Sequence, residues 1–314
     1  MKAALFRKYG SPDVLELRDI EKPAPKADEV LIKVRAVSIN DWDWGALQGE
    51  SIVNRLIFGL LKPTKIQILG SDVAGTVEAV GTNVRRFKIG DDVFGDLSGR
   101  WGGFAEYVCA RETALALKPA SMSFEEAAAI PQAGLLAVQA LVDTAAIQPG
   151  QRLLINGAGG GVGTFAIQIA KHLRATVTAV DSTPKLDLMR TLGADEVLDY
   201  TQQDFTKLGR QWDVILDVKT MRSISTMTRV LERGGLYVTV GGSIPRLLQG
   251  MLMAKKRLRV VALKLNKDLQ YMNELYEAGK VRPVIDGPYP LHELADAFRY
   301  FAEARHKGKI VITV

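Results

Sequence analysis

The sequence predicts a mixed α/β protein in which a doubly wound parallel sheet follows a β-rich domain. From Met1 to about Ala120 the chain is rich in valine, glycine and proline, and short strand-like runs alternate with turn signals. From Arg152 onward apolar strands alternate with helical patterns, which is typical of a parallel sheet with helices on both faces. A last strand, Lys309–Val314, lies beyond that alternation and suggests a return to the first domain.

Composition indicates an ordinary globular protein. The chain has 314 residues, of which 47% are hydrophobic and 24% charged, and this is enough for two domains with separate cores. No apolar run reaches the length of a membrane span, and the N-terminus lacks the layout of a signal peptide, so we expect a cytoplasmic protein. The net charge of +6 comes without an aromatic-laced basic motif, which argues against a nucleic-acid partner.

Potential metal ligands and thiols are scarce. The single cysteine, Cys109, excludes an internal disulfide. The three histidines, His172, His292 and His306, are scattered without metal-ligand spacing. We therefore expect no metal in this protein.

The first domain is predicted to be built from short strands of barrel or Greek-key character. Its strand-like runs are Lys2–Phe6, Glu29–Ser38, Val73–Val80, Asp92–Gly95 and Phe104–Val108. Ser123 is then the predicted cap of a helix, with Glu126 three residues on, and helix continues over Gly134–Ala146.

A glycine turn organises the second domain. Strand Arg152–Ile155 leads into Asn156–Gly163, which carries overlapping options for G-x-G-x-x-G, and apolar residues at helical spacing follow. A second strand, Thr176–Val180, ends in Asp181, so the unit has about the 30 residues of a dinucleotide-binding βαβ. Without side chains the turn lets a diphosphate approach the backbone, and the helix start favours its charge. A merely structural turn is the alternative interpretation.

The alternation continues to the end of the chain. The predicted elements are helix Lys185–Leu192, strands Glu196–Asp199 and Val214–Val218, helix Ser223–Leu231, strand Leu236–Val240, helix Asp268–Ala278, an extended piece at Val284–Ile285, and helix Leu291–Ala304.

At this point the chain resembles a family, the zinc-free quinone oxidoreductase branch of the medium-chain dehydrogenases/reductases. The resemblance covers essentially the whole chain. Its marks are Gly70–Gly75 (GSDVAG), Val80–Gly81, Asp91–Gly95 (DDVFG), Gly102–Val108 (GGFAEYV), Ala129–Ala133 (AIPQA), the glycine turn, Leu192–Tyr200 (LGADEVLDY), Val240–Gly242, Gly279–Asp286 (GKVRPVID) and Gly308–Val314 (GKIVITV).

The resemblance implies a fold, a reaction and a domain division. The fold is a Rossmann-type domain, 121–261, and a GroES-like catalytic domain split between 1–120 and 262–314. The reaction is zinc-independent hydride transfer from a nicotinamide, held between the two domains, to a quinone or an α,β-unsaturated carbonyl. Zinc-dependent relatives place a cysteine within Ser38–Asp41 and a Gly-His-Glu near Gly70, and have a four-cysteine lobe; this chain lacks all three.

The resemblance also implies catalytic residues. Asn40 matches the family asparagine beside nicotinamide and substrate, and an amide there can donate to a carbonyl oxygen that gains charge. A turn role for Asn40 is the alternative. Asp43 and Trp44 are candidates for the pocket lining, although an aspartate in such a place is more often structural. No tyrosine stands out as proton donor.

The choice of nicotinamide cofactor is open from sequence. An acid at Asp181 favours NADH, because it usually accepts from the adenosine ribose hydroxyls. By the resemblance, Lys185 and Tyr200 match positions that contact the 2′-phosphate of NADPH, with Ser182 nearby. If Lys185 instead pairs with Asp181 or Asp187, it belongs to a solvated helix face. We expect NADPH, with NADH also used.

Further cofactor positions follow from the family pattern. Gly159, Gly160, Gly161 and Val162 would hold the diphosphate, and Lys309 would meet the diphosphate or ribose. The others are Gly134, which begins a helix near the nicotinamide, Val218, Val240, Gly241 and Gly242 at strand ends, and Leu263 at the carboxamide.

Two basic, apolar stretches stand apart from these motifs, Ile52–Lys62 and Ile244–Arg259. The favoured interpretation is lids over an apolar substrate pocket, and contact with an anionic membrane surface is the alternative. The family further suggests a homodimer, with Leu236–Val240 as the candidate edge strand. The other functions that remain open are alcohol dehydrogenation and a nucleotide-binding redox sensor without turnover.

Overall fold

The computed structural model describes residues 1–242 and 257–314. The described strands are β1 (Lys2–Phe6), β2 (Leu15–Asp19), β3 (Glu29–Ser38), β4 (Asp72–Val80), β5 (Asp92–Asp96), β6 (Tyr107–Arg111), β7 (Ala116–Leu117), β8 (Arg152–Asn156), β9 (Thr176–Asp181), β10 (Glu196–Asp199), β11 (Trp212–Asp217), β12 (Leu231–Thr239), β13 (Leu258–Val260), β14 (Ile285–Pro290) and β15 (Lys309–Thr313).

The described α-helices are short. They are α1 (Asp41–Gln48), α2 (Ile52–Phe58), α3 (Phe124–Ala129), α4 (Pro131–Val138), α5 (Gly161–His172), α6 (Leu186–Thr191), α7 (Ile224–Arg229), α8 (Leu269–Glu277) and α9 (Leu294–Ala302). A π-helical turn, Gln139–Thr144, follows α4, and 3-10 turns include Thr183–Lys185 before α6 and Leu291–Glu293 before α9.

The chain divides into two compact units. The first comprises Met1–Gln132, Leu265–Glu277 and Pro283–Val314, and the second comprises Ala133–Lys264 and Ala278–Arg282. The first unit thus extends past the predicted boundary at residue 120. The reason is that α3 packs against β3, β4 and β15 of the first unit.

The first unit is built on a seven-stranded sheet. The strand order is β14-β15-β3-β4-β5-β7, and β6 also pairs with β3. Valine and isoleucine on β3 and β4 alternate into a core that includes Phe6, Phe104 and Phe298. Because β15 pairs antiparallel with β3, the last strand returns to the first domain, as the sequence predicts.

The second unit contains a six-stranded, fully parallel sheet. Its order, β10-β9-β8-β11-β12-β13, is that of two βαβ halves that meet between β8 and β11. The predicted doubly wound sheet is confirmed. In such sheets ligands bind beyond the carboxyl ends of the strands, near the point where the strand order reverses.

Some element predictions are wrong in detail. The run Phe104–Val108 is not one strand, because Phe104 and Ala105 pair with β1 in an isolated bridge and the regular strand is Tyr107–Arg111. Helix does not continue to Ala146, since the π-helical turn ends at Thr144 and Ala146 has φ of 48°. The predicted edge strand Leu236–Val240 overlaps the end of β12, which stops at Thr239 and is paired on both sides, and β13 lies at that edge of the described sheet.

The two basic, apolar stretches are described unequally. Residues 52–58 form α2, capped by Ser51, whose hydroxyl accepts from the Asn54 N–H. The stretch 244–259 lies mostly outside the described residues. No helix in the described ranges is long and apolar enough to cross a membrane.

Candidate active site

The glycine turn lies in the second unit, between β8 and α5. Gly157 has φ of 90°, a value that L side chains rarely adopt, and Gly160 caps the helix that begins at Gly161. A Cβ on Gly163 would fall 2.3 Å from the Gly157 carbonyl oxygen, so glycine is needed where the helix starts against the turn. The turn therefore presents bare backbone and a helix N-terminus, which fits a diphosphate.

Asp181, at the end of β9, is tied to this turn. Its Oδ2 accepts from the Gly159 N–H at 2.9 Å, and its Oδ1 accepts from the Ser182 N–H at 2.9 Å. The Lys185 Nζ lies 3.8 Å from Oδ1. The predicted alternative pairing of Lys185 with Asp181 is therefore observed, but the aspartate side chain is 2% exposed and the lysine 1%, so this pair is buried and does not belong to a solvated helix face.

The residues predicted to contact the adenosine ribose or its 2′-phosphate lie close together around Asp181. Lys185 ends the 3-10 turn that follows Ser182 and packs over Gly159, where an added Cβ would fall 2.7 Å from its side chain. The Tyr200 N–H donates to the Asp181 carbonyl, and the tyrosine side chain is 47% exposed. A buried acid with its buried lysine thus lies beside a half-buried serine and an open tyrosine.

The other predicted cofactor positions lie at strand ends or near them in the second unit. The Val218 N–H donates to the Asn156 carbonyl just past β11, and Val240 to Gly242 follow β12. Gly134 is on α4. Leu263 lies one residue before Lys264, whose backbone N–H and carbonyl both form hydrogen bonds with the Gln139 side chain. Val162 is in the first turn of α5.

A buried hydrogen-bond network, which the sequence does not predict, joins the carboxyl ends of strands in the parallel sheet. Asp217 is fully buried at the end of β11 and accepts from Asn156 Nδ2 at 2.8 Å, from the Thr220 N–H at 3.0 Å and from the Tyr237 hydroxyl. It therefore joins the ends of β8, β11 and β12. The signal in the sequence was an aspartate that ends an apolar strand.

The second polar cluster lies in the first unit, where α1 begins. Asn40 is the N-cap of that helix, and its N–H donates to Asp43 Oδ2 at 3.0 Å. Asp43 Oδ1 accepts from the Gly70 N–H at 2.9 Å. Burial raises the pKa of Asp43 to about 7, against the lowering effect of these two backbone donors. The aspartate thus ties the start of α1 to the chain before β4.

The Asn40 amide contacts both sides of this cluster. Its Nδ2 donates to Ser71 Oγ at 3.2 Å, and its Oδ1 accepts from the Lys309 ammonium. Lys309 Nζ also donates to the Ile39 carbonyl at 2.9 Å. Lys309 is 5% exposed, so the alternative of a surface charge is wrong, and the ammonium faces Asn40.

Asp72 is the buried acidic residue beside Lys309. Its Oδ2 lies 3.9 Å from the ammonium and accepts from the Gln132 N–H at 3.0 Å, whereas Oδ1 has no hydrogen-bond partner in the described residues. Burial, together with the nearby Asp96 charge, raises the pKa of Asp72 to about 8. Burial lowers the pKa of Lys309, and the surrounding carboxylates oppose that shift.

Trp44 is half-buried and packs against the hydrophobic core of the first unit. Its ring stacks on Phe298 at 6.5 Å between centroids and lies 6.5 Å from Phe301. The structure therefore brings together Asn40, Asp43 and Lys309 of the predicted site residues in this unit. Ser71, Asp72 and Gln132 join them, and sequence reasoning had not assigned these three a role.

No group of three or more histidine, cysteine, aspartate or glutamate side chains in the described ranges could hold a metal ion. The residues at Asn40, Ser71 and Asp72 offer an amide, a hydroxyl and one carboxylate that is already paired with a lysine. This donor set does not fit zinc, which prefers thiolate, imidazole and free carboxylate ligands.

Comparison with known proteins places the chain in a family. Residues 26–120 match the family model described as alcohol dehydrogenase GroES-like domain, and residues 192–312 match the model described as zinc-binding dehydrogenase. The 2-methylene-furan-3-one reductase of Solanum lycopersicum is 36% identical over 324 residues, 99% of this chain and 79% of that protein. The chain belongs to the medium-chain dehydrogenase/reductase family.

Other members of this family are also similar to this chain. The chloroplastic NADPH-dependent alkenal/one oxidoreductase of Arabidopsis thaliana is also 36% identical, over 99% of this chain and 79% of its own. Among solved structures, the quinone oxidoreductase from Coxiella burnetii has a TM-score of 0.92 at 30% identity and covers 100% of this chain and 99% of its own. The Rossmann-type and GroES-like architecture of this medium-chain dehydrogenase/reductase is thereby confirmed, and the protein is an oxidoreductase.

Proposed function

We propose that this medium-chain dehydrogenase/reductase reduces a quinone or the double bond of an α,β-unsaturated carbonyl with hydride from NADPH, without a metal. The observation that carries the proposal is the buried cluster around Asn40. It offers an amide donor beside a lysine ammonium, in place of a metal-binding set. The relatives named above act on furanones, alkenals or quinones, which supports the same substrate class here.

The nicotinamide cofactor would supply the hydride, and the chain would hold it mainly through the glycine turn. Gly159, Gly160 and Gly161 would receive the diphosphate at the start of α5, with Val162 behind them. The strand ends at Val218 and Val240 to Gly242 belong to the carboxyl edge of the sheet, where ligands of open parallel sheets bind. Gly134 and Leu263 complete the proposed set near the nicotinamide.

The Asn40 amide would contact the oxygen of the substrate. When hydride reaches the β-carbon of an enone, negative charge develops on the carbonyl oxygen, and a fixed N–H donor stabilises that charge. We assign Asp43 a positioning role, since both of its oxygens are occupied by backbone N–H groups, one of them from Asn40 itself. Trp44 would shape the apolar surroundings.

We propose NADPH as the preferred cofactor, with NADH also used. A 2′-phosphate about 4 Å from the Asp181 carboxylate is repelled by it by roughly 1 kcal/mol in water and about 4 kcal/mol at an effective dielectric constant near 20. The Lys185 ammonium, 3.8 Å from Asp181, offsets that repulsion, and Ser182 and Tyr200 add hydroxyl groups. A relative of this chain is named as NADPH-dependent.

A screen of NADPH oxidation over quinones, enones and saturated alcohols tests the proposal. We expect turnover with a quinone or an enone, and the same rate after treatment with a strong chelator. Activity restricted to oxidation of alcohols would make the protein an alcohol dehydrogenase. Tight NADPH binding without turnover on any of these compounds would favour a redox-sensing role.

We also propose that the protein is a cytoplasmic homodimer. Because β12 is paired on both sides, a dimer that extends the sheet would form through β13, Leu258–Val260, or through β10. Light scattering on the purified protein tests the dimer, and cell fractionation tests the location.

A further inference from the structure

The side chain of Lys309 departs from the role that the family pattern gives it. Rather than standing free for a cofactor diphosphate, its ammonium donates to the Ile39 carbonyl at 2.9 Å and to Asn40 Oδ1. The pairing of β15 with β3 creates this arrangement, because the Ile39 N–H also donates to the Ile310 carbonyl at 3.0 Å. The lysine is thus held against the residue that begins α1.

An ammonium group determines the orientation of an amide beside it. Lysine only donates hydrogen bonds, so the atom of the Asn40 amide that faces Lys309 must be the oxygen. The NH2 group is then the other end, where one of its two protons goes to Ser71 Oγ. Without Lys309 the amide could rotate by half a turn and present its oxygen to the substrate, and two oxygens would then repel each other.

The charge of Lys309 acts in the same direction as its geometry. A cation at the amide oxygen draws electron density away from the nitrogen, which makes its N–H a stronger donor. Burial lowers the pKa of Lys309, and the acidic groups around it, of which Asp72 lies 3.9 Å from the ammonium, oppose that shift and favour the charged form.

We propose that Lys309 is a positioning residue for the reaction, which holds the Asn40 amide with its NH2 group toward the substrate oxygen. The inference rests on the proposed function, since it requires that Asn40 contacts the substrate. It predicts that Lys309 affects the rate of hydride transfer and leaves cofactor affinity unchanged.

Lys309→Met tests this, because methionine has similar length but cannot donate or carry charge. We expect kcat with a saturating enone or quinone to fall about tenfold to a hundredfold, which is less than the roughly hundredfold to thousandfold loss on removing such a donor outright, because the Asn40 amide itself stays in place. The dissociation constant for NADPH should stay within about twofold, since the lysine touches no cofactor in this account. Lys309→Met with Asp72→Asn removes the whole buried charge pair and provides a second variant if the single one does not fold.

A matched control is Lys118→Met. Lys118 is also a buried lysine of the first unit, donates to the Met122 carbonyl at 2.8 Å and lies 3.7 Å from Asp92. Lys118 has no contact with Asn40, so we expect the kcat of Lys118→Met to match that of the wild type.

A double-mutant cycle separates positioning from a general structural effect. If Lys309 acts through Asn40, then Lys309→Met should have little further effect on kcat in an Asn40→Ala background. Independent, multiplying losses would overturn the proposal.

The pH profile gives a further readout. Lys309 is faced by Asp72 on β4, Asp96 on β5, and Asp41 and Asp43 on α1. Because burial lowers the pKa of Lys309, the wild-type kcat should decline on the alkaline side below pH 10.5, the ordinary lysine value, and Lys309→Met should lack that decline. The same decline in the variant would contradict the proposal.

Cofactor binding distinguishes the failure of this inference from that of the proposed function. A rise of the NADPH dissociation constant of about tenfold or more, with kcat unchanged, would return Lys309 to the cofactor and overturn the inference. If the wild type turned over no quinone or enone, the proposed function would fail, and the binding measurement would still decide whether Lys309 faces the cofactor.

Discussion

Asp181 has a structural role in the fold and a proposed role toward the cofactor. Each of its oxygens accepts one backbone N–H, from Gly159 and from Ser182, so the acid helps to shape the turn that it borders. Oδ1 also accepts from the Ser182 hydroxyl at 3.5 Å, whereas Oδ2 retains a second lone pair that a ribose hydroxyl could use. Cofactor preference then depends on the balance between the Asp181 carboxylate and the Lys185 ammonium.

Removing the charge of Asp181 and removing the charge of Lys185 should shift the cofactor preference in opposite directions. Asp181→Asn removes a negative charge near the proposed 2′-phosphate, so we expect the ratio of NADH to NADPH dissociation constants to rise about fivefold or more. Lys185→Met should lower that ratio. Fluorescence titration with both cofactors measures it.

Asp187→Asn is the control for these variants, since this exposed carboxylate pairs with Arg190 on α6. Its ratio should equal that of the wild type. Equal losses of NADH and NADPH affinity in Asp181→Asn would make the acid purely structural.

The buried Asp72 should make stability depend on pH. Its pKa is raised to about 8, so the folded state binds a proton that the unfolded state releases near pH 4. The resulting stabilisation is complete below pH 4 and is lost as the pH rises through 8. We therefore expect the free energy of unfolding to fall by about 1–3 kcal/mol between pH 5.5 and 8 on account of this group.

Asp72→Asn resembles the protonated form and should flatten that dependence, as urea denaturation at the two pH values would show. Its amide oxygen can still accept from the Gln132 N–H. Asp187→Asn again serves as control and should keep the wild-type slope. An unchanged slope in Asp72→Asn would mean that Asp72 is ionised throughout.

At the scale of elements, the glycine turn and α5 form the part of the site that the sequence predicts best. The strand, the glycines, the helix and the terminal Asp181 are all local in sequence, so their pattern determines their arrangement. The helix start at Gly161 depends on Gly163, whose hydrogen points at the turn.

Gly163→Ala should therefore destabilise the protein. Its Cβ would stand 2.3 Å from the Gly157 oxygen and 2.5 Å from Ala158 Cα, an overlap of the kind that costs about 1–3 kcal/mol. Gly160→Ala is the matched comparison, because its Cβ would meet nothing closer than 3.8 Å. We expect Gly160→Ala to keep wild-type stability and to weaken NADPH binding, and equal unfolding free energies for the two variants would contradict this account.

The cluster around Asn40 could be predicted only in part. Sequence motifs identify Asn40 and Lys309 as candidate site residues. These two residues are 269 positions apart, and they meet only because β15 pairs with β3. That pairing also turns the lysine inward, and no local pattern indicates the direction of a side chain across two strands. The same holds for Ser71 and Asp72, whose roles come from their neighbours rather than from their spacing.

At the scale of the whole molecule, both units carry sites whose charges are buried and paired. Short strand-like runs between turn signals indicate the first sheet, and the alternation of strands and helices indicates the parallel one, whereas the order of the strands comes from the structure. Strand ends such as β6 and β12 were misjudged, because irregular pairing with a distant strand moved their boundaries.

A patch of exposed apolar side chains lies on and after α2, and it could serve either as a lid over the substrate pocket or as a membrane contact. The patch consists of Ile52, Val53, Leu56, Ile57, Leu60 and Leu61, of which Leu61 is 86% exposed. For lids over a substrate pocket we expect no sedimentation with phosphatidylglycerol-rich vesicles at low ionic strength. Sedimentation that is lost in Leu61→Glu but kept in Leu117→Glu, an exposed leucine on β7, would show membrane contact instead.

The most direct test of the account follows the transferred hydrogen itself. NADPH deuterated at the transferable C4 position is mixed with an α,β-unsaturated ketone, and the product is examined by mass spectrometry and NMR. We predict one deuterium at the β-carbon of a saturated ketone, with the proton at the α-carbon coming from water. Deuterium on the carbonyl carbon of an allylic alcohol, or an unreacted enone beside active alcohol oxidation, would contradict the account.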